Sequence, residues 1–239
     1  MTLHMVEMHL DAKALLDMLR RKNLLRDDDE DLGYGVHAWL REAFGSIAPQ
    51  PWRLWAAQGR PLRLLGYSHH PAEELRQALR EFASPSLAAV VPDPEHNIQS
   101  KILPKWEKGR RLGFEVLTVP LGRKSSSRVE KDAYLMALDR GQPSSRDEVY
   151  RAWLLRQMGQ GVRIYRLELA GFRLLKTYRR RHGPANGKPT FHRLTRPQAL
   201  FRGELEVADP ISFENLLAKG VGRHKAFGYG MLLLRPPRS

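Results

Sequence analysis

The chain contains no cysteine, which rules out disulfides, a thiolate nucleophile and any cysteine-ligated zinc site. It also has no run approaching the ~20 consecutive apolar residues that a membrane-spanning helix needs. The opening residues, MTLHMVEMHL, lack a basic segment followed by a long apolar stretch. A secretory signal is therefore not expected, and the chain reads as cytoplasmic with no membrane partner. Acidic residues are scarce: 26 Asp and Glu stand against 40 Lys and Arg, a formal net charge of +14 over 239 residues. Such an excess points to a polyanion, most commonly nucleic acid. Hydrophobic residues make up 42%, enough for a packed core, and the length suits one large domain or two of about 100 residues.

Periodicity gives a coarse element order. Residues 2–9 alternate Leu3 and Met5 with polar neighbours, as an opening strand does. In residues 11–22, Asp11 is suited to cap a helix that carries Ala14, Leu15, Met18 and Leu19 at helical spacing. A second helical pattern covers 33–45 and ends at Gly45, after the acidic run Asp27 to Asp31. That run lacks the spacing of a cation-binding loop and reads as a solvated lead-in, not a metal site; no metal or cofactor is expected. Residues 51–58 and 61–67 form a hairpin pattern around Gly59 and Arg60, 71–82 a helix, and 112–119 a strand ending at Pro120. The sum is the βαββαβ order of a ferredoxin-like, RNA-recognition-type unit. After a Pro-, Gly- and Ser-containing boundary at 120–128 come helical stretches near 128–138 and 146–158 and a long apolar and basic segment at 162–180. A strand at 200–207, a helix at 210–219 and a strand at 229–235 follow, an order compatible with a second, distorted copy.

The positive charge is clustered. Residues 101–128 hold Lys101, Lys105, Lys108, Arg110, Arg111, Arg123, Lys124 and Arg128 against only Glu107 and Glu115. Residues 173–196 hold Arg173, Lys176, Arg179, Arg180, Arg181, Lys188, Arg193 and Arg196 with no acid, interleaved with Tyr178, His182, Phe191 and His192. Guanidinium groups grip phosphates and planar rings stack on exposed bases. With no zinc-finger, basic-zipper or helix-turn-helix pattern, RNA is favoured over DNA.

Near the C-terminus, Gly220, Gly222, Gly228 and Gly230 enclose Arg223, His224 and Lys225, and a strand-like Met231 to Leu234 follows. Glycines allow tight turns and close approach to phosphate, while the three cations supply charge. The spacing is neither a Walker loop nor a dinucleotide fingerprint, which counts against a phosphate-cofactor enzyme.

This pattern, G-x-G-x-x-K-x-x-G-x-G, resembles the C-terminal loop of the CRISPR-associated repeat-processing endoribonucleases. FRGELEVADPISFENLLAKG (201–220) and GRRLGFEVLTVPLGRK (109–124) are similar to the CasE branch. The resemblance implies an α+β fold of two tandem ferredoxin-like βαββαβ domains. Residues 1–122 would form the first, carrying a catalytic helix, and 123–239 a distorted second with the basic segment and glycine loop. It also implies metal-independent cleavage of CRISPR precursor RNA beside the repeat hairpin. Retention of the mature guide RNA hairpin as a subunit of a class 1 effector complex would follow. A non-catalytic RNA-binding scaffold of the same fold is the alternative.

The resemblance places a histidine on an early helix, with a tyrosine about one turn before it in many members; here these are His37 and Tyr34. At about 100° per residue, Val36, Leu40, Ala43, Phe44 and Ile47 share the core face, and Tyr34, His37 and Arg41 share the adjoining stripe. Imidazole titrates near neutrality and can serve as base or acid in attack by a ribose 2′-hydroxyl. Tyr34 would position His37 or bond the phosphate, and Arg41 or Lys225 would offset developing charge. Of the other histidines, His4 and His9 are assigned to the first strand, His69 and His70 to a turn, and His224 to RNA contact.

Overall fold

The computed structural model describes residues 2–25, 31–56, 59–123, 130–142, 145–181 and 190–237, with the side chains of 177–181 and 190–193 not included. Strand β1 (His4–Leu10) leads to α1 (Ala12–Arg21) and α2 (Gly33–Phe44). Then come β2 (Trp52–Trp55), β3 (Leu62–Ser68), α3 (Ala72–Phe82), the short helices α4 (Pro85–Ala88) and α5 (Pro94–Asn97), and β4 (Ile98–Ile102). These strands form one antiparallel sheet in the order β2-β3-β1-β4. As expected, Asp11 caps α1, its Oδ1 accepting from the Ala14 amide at 2.7 Å. Val6, Met8 and Leu10 point to the helical side, where Leu15, Leu19, Trp39, Leu40 and Leu75 are fully or almost fully buried. The other face of β3 is covered too, since Leu65 and Tyr67 pack with Leu3 into a second core.

The second half comprises β5 (Arg111–Thr118), β6 (Leu121–Arg123), β7 (Glu130–Asp132), α6 (Ala133–Asp139), α7 (Arg146–Met158), β8 (Val162–Arg181), β9 (Thr190–Val207), α8 (Pro210–Lys219) and β10 (Leu232–Arg235). Its main sheet has the order β10-β5-β9-β8. Counted within each half, both sheets read 4-1-3-2, the ferredoxin-like order, so the fold is two such units in tandem. Phe114, Val116, Phe201 and Leu205 pack against Tyr150, Trp153 and Leu154 of α7 and Phe213 and Leu217 of α8.

One strand assignment needs correction. The segment near 112–119 was expected to close the first unit, yet it pairs with β9 and β10 and opens the second. The place beside β1 is taken by β4, with Met8 opposite Ile98 and His4 opposite Ile102. Only Ile98 of β4 is buried, so this edge strand carries almost no apolar alternation.

The basic segment is a β-ribbon. β5 pairs with β9 only over Ala199–Glu206, while β8 and β9 continue paired from Phe172↔Ala199 out to Arg181↔Thr190. Beyond the four-stranded sheet the hairpin thus runs on as two strands. No helix among the described residues is long and apolar enough to cross a membrane.

Candidate active site

Helix α2 presents its side chains as its periodicity requires. Val36, Leu40, Ala43 and Phe44 are buried as expected, and so is Trp39, while Ile47 lies beyond the helix and is half-buried; Tyr34 and His37 are half-buried, and Arg41 is exposed. A cleft of about 350 Å³ opens beside this stripe, bordered by His37, Arg41, Ser46, Gln50, His69 and His70. Tyr34 is not part of its wall. Arg41 Nη1 donates to the Gly45 carbonyl at 2.9 Å, which holds the guanidinium over the last turn. Burial, and then the Arg41 charge, lower the His37 pKa below its ordinary 6.5, so the imidazole is neutral at physiological pH.

The glycine loop closes over the start of α2. Phe227 stacks on Tyr34 at 6.2 Å between centroids and meets His37 edge-on at 5.1 Å with a 73° interplanar angle. Tyr229 Oη donates to Asp31 Oδ2 at 2.9 Å, while Asp31 Oδ1 accepts from the Gly33 amide at 2.9 Å. Asp31, read from sequence as part of a solvated run, instead ties the loop to the helix start; Asp27 to Glu30 lie outside the described residues. A Cβ on Gly33 would lie 2.4 Å from the Phe227 carbonyl oxygen, so the two backbones touch where only glycine fits.

Gly220, Gly222, Gly228 and Gly230 all have positive φ, between 70° and 86°. Their missing Cβ atoms face protein: Pro51 at Gly220, Trp153 at Gly222, Trp52 at Gly228 and the Val221 carbonyl at Gly230. Their pattern is thus explained by loop shape and packing. Between them, His224 is anchored, with Nε2 2.8 Å from Glu130 Oε2 and Nδ1 3.2 Å from Arg196 Nη1. Arg223 reaches Glu130 at 3.4 Å. Burial opposes ionisation of Glu130, but the charge and hydrogen bond of His224, with Arg196 and Arg223, hold its pKa below 4.5. Burial, with the charge of Lys219, lowers the Lys225 pKa from its ordinary value.

The loop also meets the ribbon. Arg173 Nε donates to Gln198 Oε1 at 2.5 Å, and Gln198 Nε2 donates to Tyr229 Oη at 3.2 Å. A hydrogen-bonded line therefore runs from Arg173 through Gln198 and Tyr229 to Asp31. It connects the three features singled out in the sequence: basic segment, glycine loop and histidine-bearing helix. Phe227, Glu130 and Gln198 were missed. Phe227 lay inside the quoted motif but is apolar among cations, and Glu130 lies 94 positions from His224.

The remaining basic candidates are distributed. Arg173 and Lys176 are exposed on β8; Arg179, Arg180, Arg181 and Arg193 belong to the ribbon strands. Lys101 stands on edge strand β4, and Lys105, Lys108 and Arg110 on the exposed connection to β5. Arg111 lies over the Tyr165 ring at 4.9 Å and near Glu206 at 3.7 Å, a cross-strand acid that local charge counting did not include. Arg123 is exposed at the end of β6, and Lys124 is outside the described residues.

Among solved structures, the CRISPR endoribonuclease Cse3 bound to a 19-nucleotide RNA is 22% identical, covering 99% of this chain and 100% of that one at a TM-score of 0.64. Cse3 of Thermus thermophilus, bound to an RNA representing a pre-cleavage complex, is 20% identical with the same coverage and a TM-score of 0.63. A chain of a CRISPR RNA-guided surveillance complex is 16% identical, covering 98% of this chain and 100% of that chain at a TM-score of 0.53. These likenesses establish the shared fold. No curated protein matches the chain. The family model described as CRISPR associated protein matches residues 4–236, nearly the whole length, and the chain belongs to that family.

Proposed function

We propose that this protein is the endoribonuclease of CRISPR RNA maturation. It binds the repeat hairpin of precursor RNA, cuts beside it without a metal ion, and keeps the guide RNA hairpin as a subunit of a class 1 effector complex in the cytoplasm. The observation that carries this reading is a half-buried histidine lining a cleft of ligand-pocket size, under a loop hydrogen-bonded to a basic ribbon. Family membership and the fold shared with RNA-bound endoribonucleases support the substrate class.

The chemistry follows from the residues. Neutral His37 takes the proton of a ribose 2′-hydroxyl, and the oxygen attacks the adjacent phosphorus in line with the 5′-oxygen. The P–O5′ bond breaks and that oxygen gains a proton, leaving a 2′,3′-cyclic phosphate and a 5′-hydroxyl. General base catalysis of this kind contributes about 10²- to 10⁴-fold. Arg41 and Lys225 offset charge at the phosphate, and Tyr34 orients the site. The exposed cations of the ribbon and of 101–111 grip the RNA backbone, and Arg223, His224 and Lys225 of the loop add positive charge beside it. In this reading the two units meet at 103–110, because β5 belongs to the second sheet.

The test is cleavage of a transcribed repeat RNA in EDTA, followed by mass analysis of the ends. A single cut beside the stem with a cyclic phosphate is expected. No cleavage, or a 3′-hydroxyl product, would contradict the reading.

A further inference from the structure

A catalytic imidazole must be held in one orientation, and in most hydrolytic sites a carboxylate or carbonyl hydrogen-bonded to its second nitrogen does this. Among the described residues the His37 ring makes no hydrogen bond to a carboxylate or carbonyl; it meets the Phe227 ring in a T-shaped contact and feels the charge of Arg41. We infer that Phe227 is the positioning residue of His37, its ring fixing how the imidazole faces the cleft. The inference rests on His37 being the base of the proposed reaction.

The geometry supports this in two ways. First, the 5.1 Å, 73° contact lies in the edge-to-face range, where the quadrupoles of two aromatic rings favour one mutual orientation. A leucine in its place is smaller and branched: it sets no such angle and covers less of the imidazole. Second, Phe227 is itself fixed from several directions. Its amide donates to the His224 carbonyl at 2.8 Å, and the preceding carbonyl, Ala226, accepts from Trp52 Nε1 at 3.1 Å. Its own carbonyl abuts Gly33, and the loop beyond it is tied to Asp31 by Tyr229. Its ring also neighbours those of Tyr34, at 6.2 Å, and His224, at 5.9 Å.

Phe227 also excludes water from one side of His37. Removing the ring resolvates the imidazole and moves its titration upward, towards the ordinary value. As the base must be neutral, the acid limb of the rate profile moves to higher pH.

The test compares Phe227→Leu and Phe227→Tyr in the full chain, with His37→Ala as reference. Three quantities are read: single-turnover cleavage of a repeat transcript across pH, affinity for the transcript with a 2′-deoxy block at the cut, and the His37 NMR titration. F227L is expected to lose about tenfold to a hundredfold in rate at saturating RNA, the scale of a small misplacement of a reacting group. Its affinity and melting temperature should stay unchanged, and both the acid limb and the His37 titration should move up. F227Y should restore rate and profile. A rate loss with the titration unmoved, or a loss confined to affinity, would overturn the inference. If H37A cuts at full rate, the catalytic reading fails, while the His37 titration in F227L still decides whether Phe227 governs the imidazole. Should F227L unfold, F227Y decides alone, since a displaced titration in a ring-bearing variant would refute the positioning role.

Discussion

Replacing Gly33 by alanine sets two effects of opposite sign against each other. Gly33 is the first residue of α2, and helix propensity alone predicts a gain of up to about 1 kcal/mol. The added methyl, however, would lie 2.4 Å from the Phe227 carbonyl oxygen and 3.0 Å from Asp31 Oδ1, where contacts under 3.0 Å are essentially never seen. Both obstacles are constrained, the carbonyl by backbone and Asp31 by its hydrogen bonds to Gly33 and Tyr229. Overpacking of this kind costs about 1–3 kcal/mol, which leaves a net loss of up to about 2 kcal/mol. For a chain of this size that lowers Tm by up to about 8 °C. Cleavage should fall further than stability, because the relief available is to push the glycine loop, and Phe227 with it, off the helix. Gly35→Ala is the comparison: its methyl would meet the buried Leu19 side chain, Cδ1 at 2.5 Å and Cδ2 at 2.8 Å, so it costs core packing while leaving the glycine loop in place. Thermal melts and single-turnover cleavage of both variants decide. A G33A protein as stable as wild type and equally active would refute the described contact.

Two further predictions test electrostatics. Glu115 bridges the halves, accepting from Arg53 of β2 at 2.6 Å and from Arg202 of β9 at 2.7 Å. Burial opposes its ionisation, but the Arg202 hydrogen bond and the Arg53 charge prevail and its pKa lies below 4.5. The folded state therefore holds this proton less tightly than the unfolded chain. The stabilisation is complete above about pH 4.5 and fades as pH falls through the lower native value. Glu115→Gln should be less stable than wild type in urea at pH 7, with the gap closing as the medium is acidified; a constant gap would contradict the assignment. On the ribbon, Arg173→Gln and Lys176→Gln should each reduce the slope of log affinity against log salt for a repeat transcript by about 1. An unchanged slope would mean that the ribbon does not contact phosphate.

Much of this was legible in sequence where the signal is local. The Asp11 cap, the core stripe of α2, the hairpin around Gly59 and the helices at 146–158 and 210–219 all follow from side-chain spacing. What was not legible depends on partners distant in the chain. β4, with a single buried residue, offers no alternation to read, and the pattern of 112–119 says that it is a strand without saying which sheet accepts it. The reach of the β8–β9 hairpin was likewise hidden, since its outer part is basic. At the site, the family resemblance pointed to His37 and Tyr34, and helical spacing placed Arg41 on the same stripe. The loop glycines suggested phosphate contact, whereas their missing Cβ atoms are answered by tryptophan, proline and backbone. Tertiary packing also brings Phe227 and Asp31 against the histidine-bearing helix.

The most direct test of the central claim is the single-turnover rate of His37→Ala on the repeat transcript, measured beside its affinity for the same RNA. Cleavage reduced by at least about 10²-fold with affinity retained is the predicted result. Cleavage at the wild-type rate would contradict the account and leave an RNA-binding scaffold in its place.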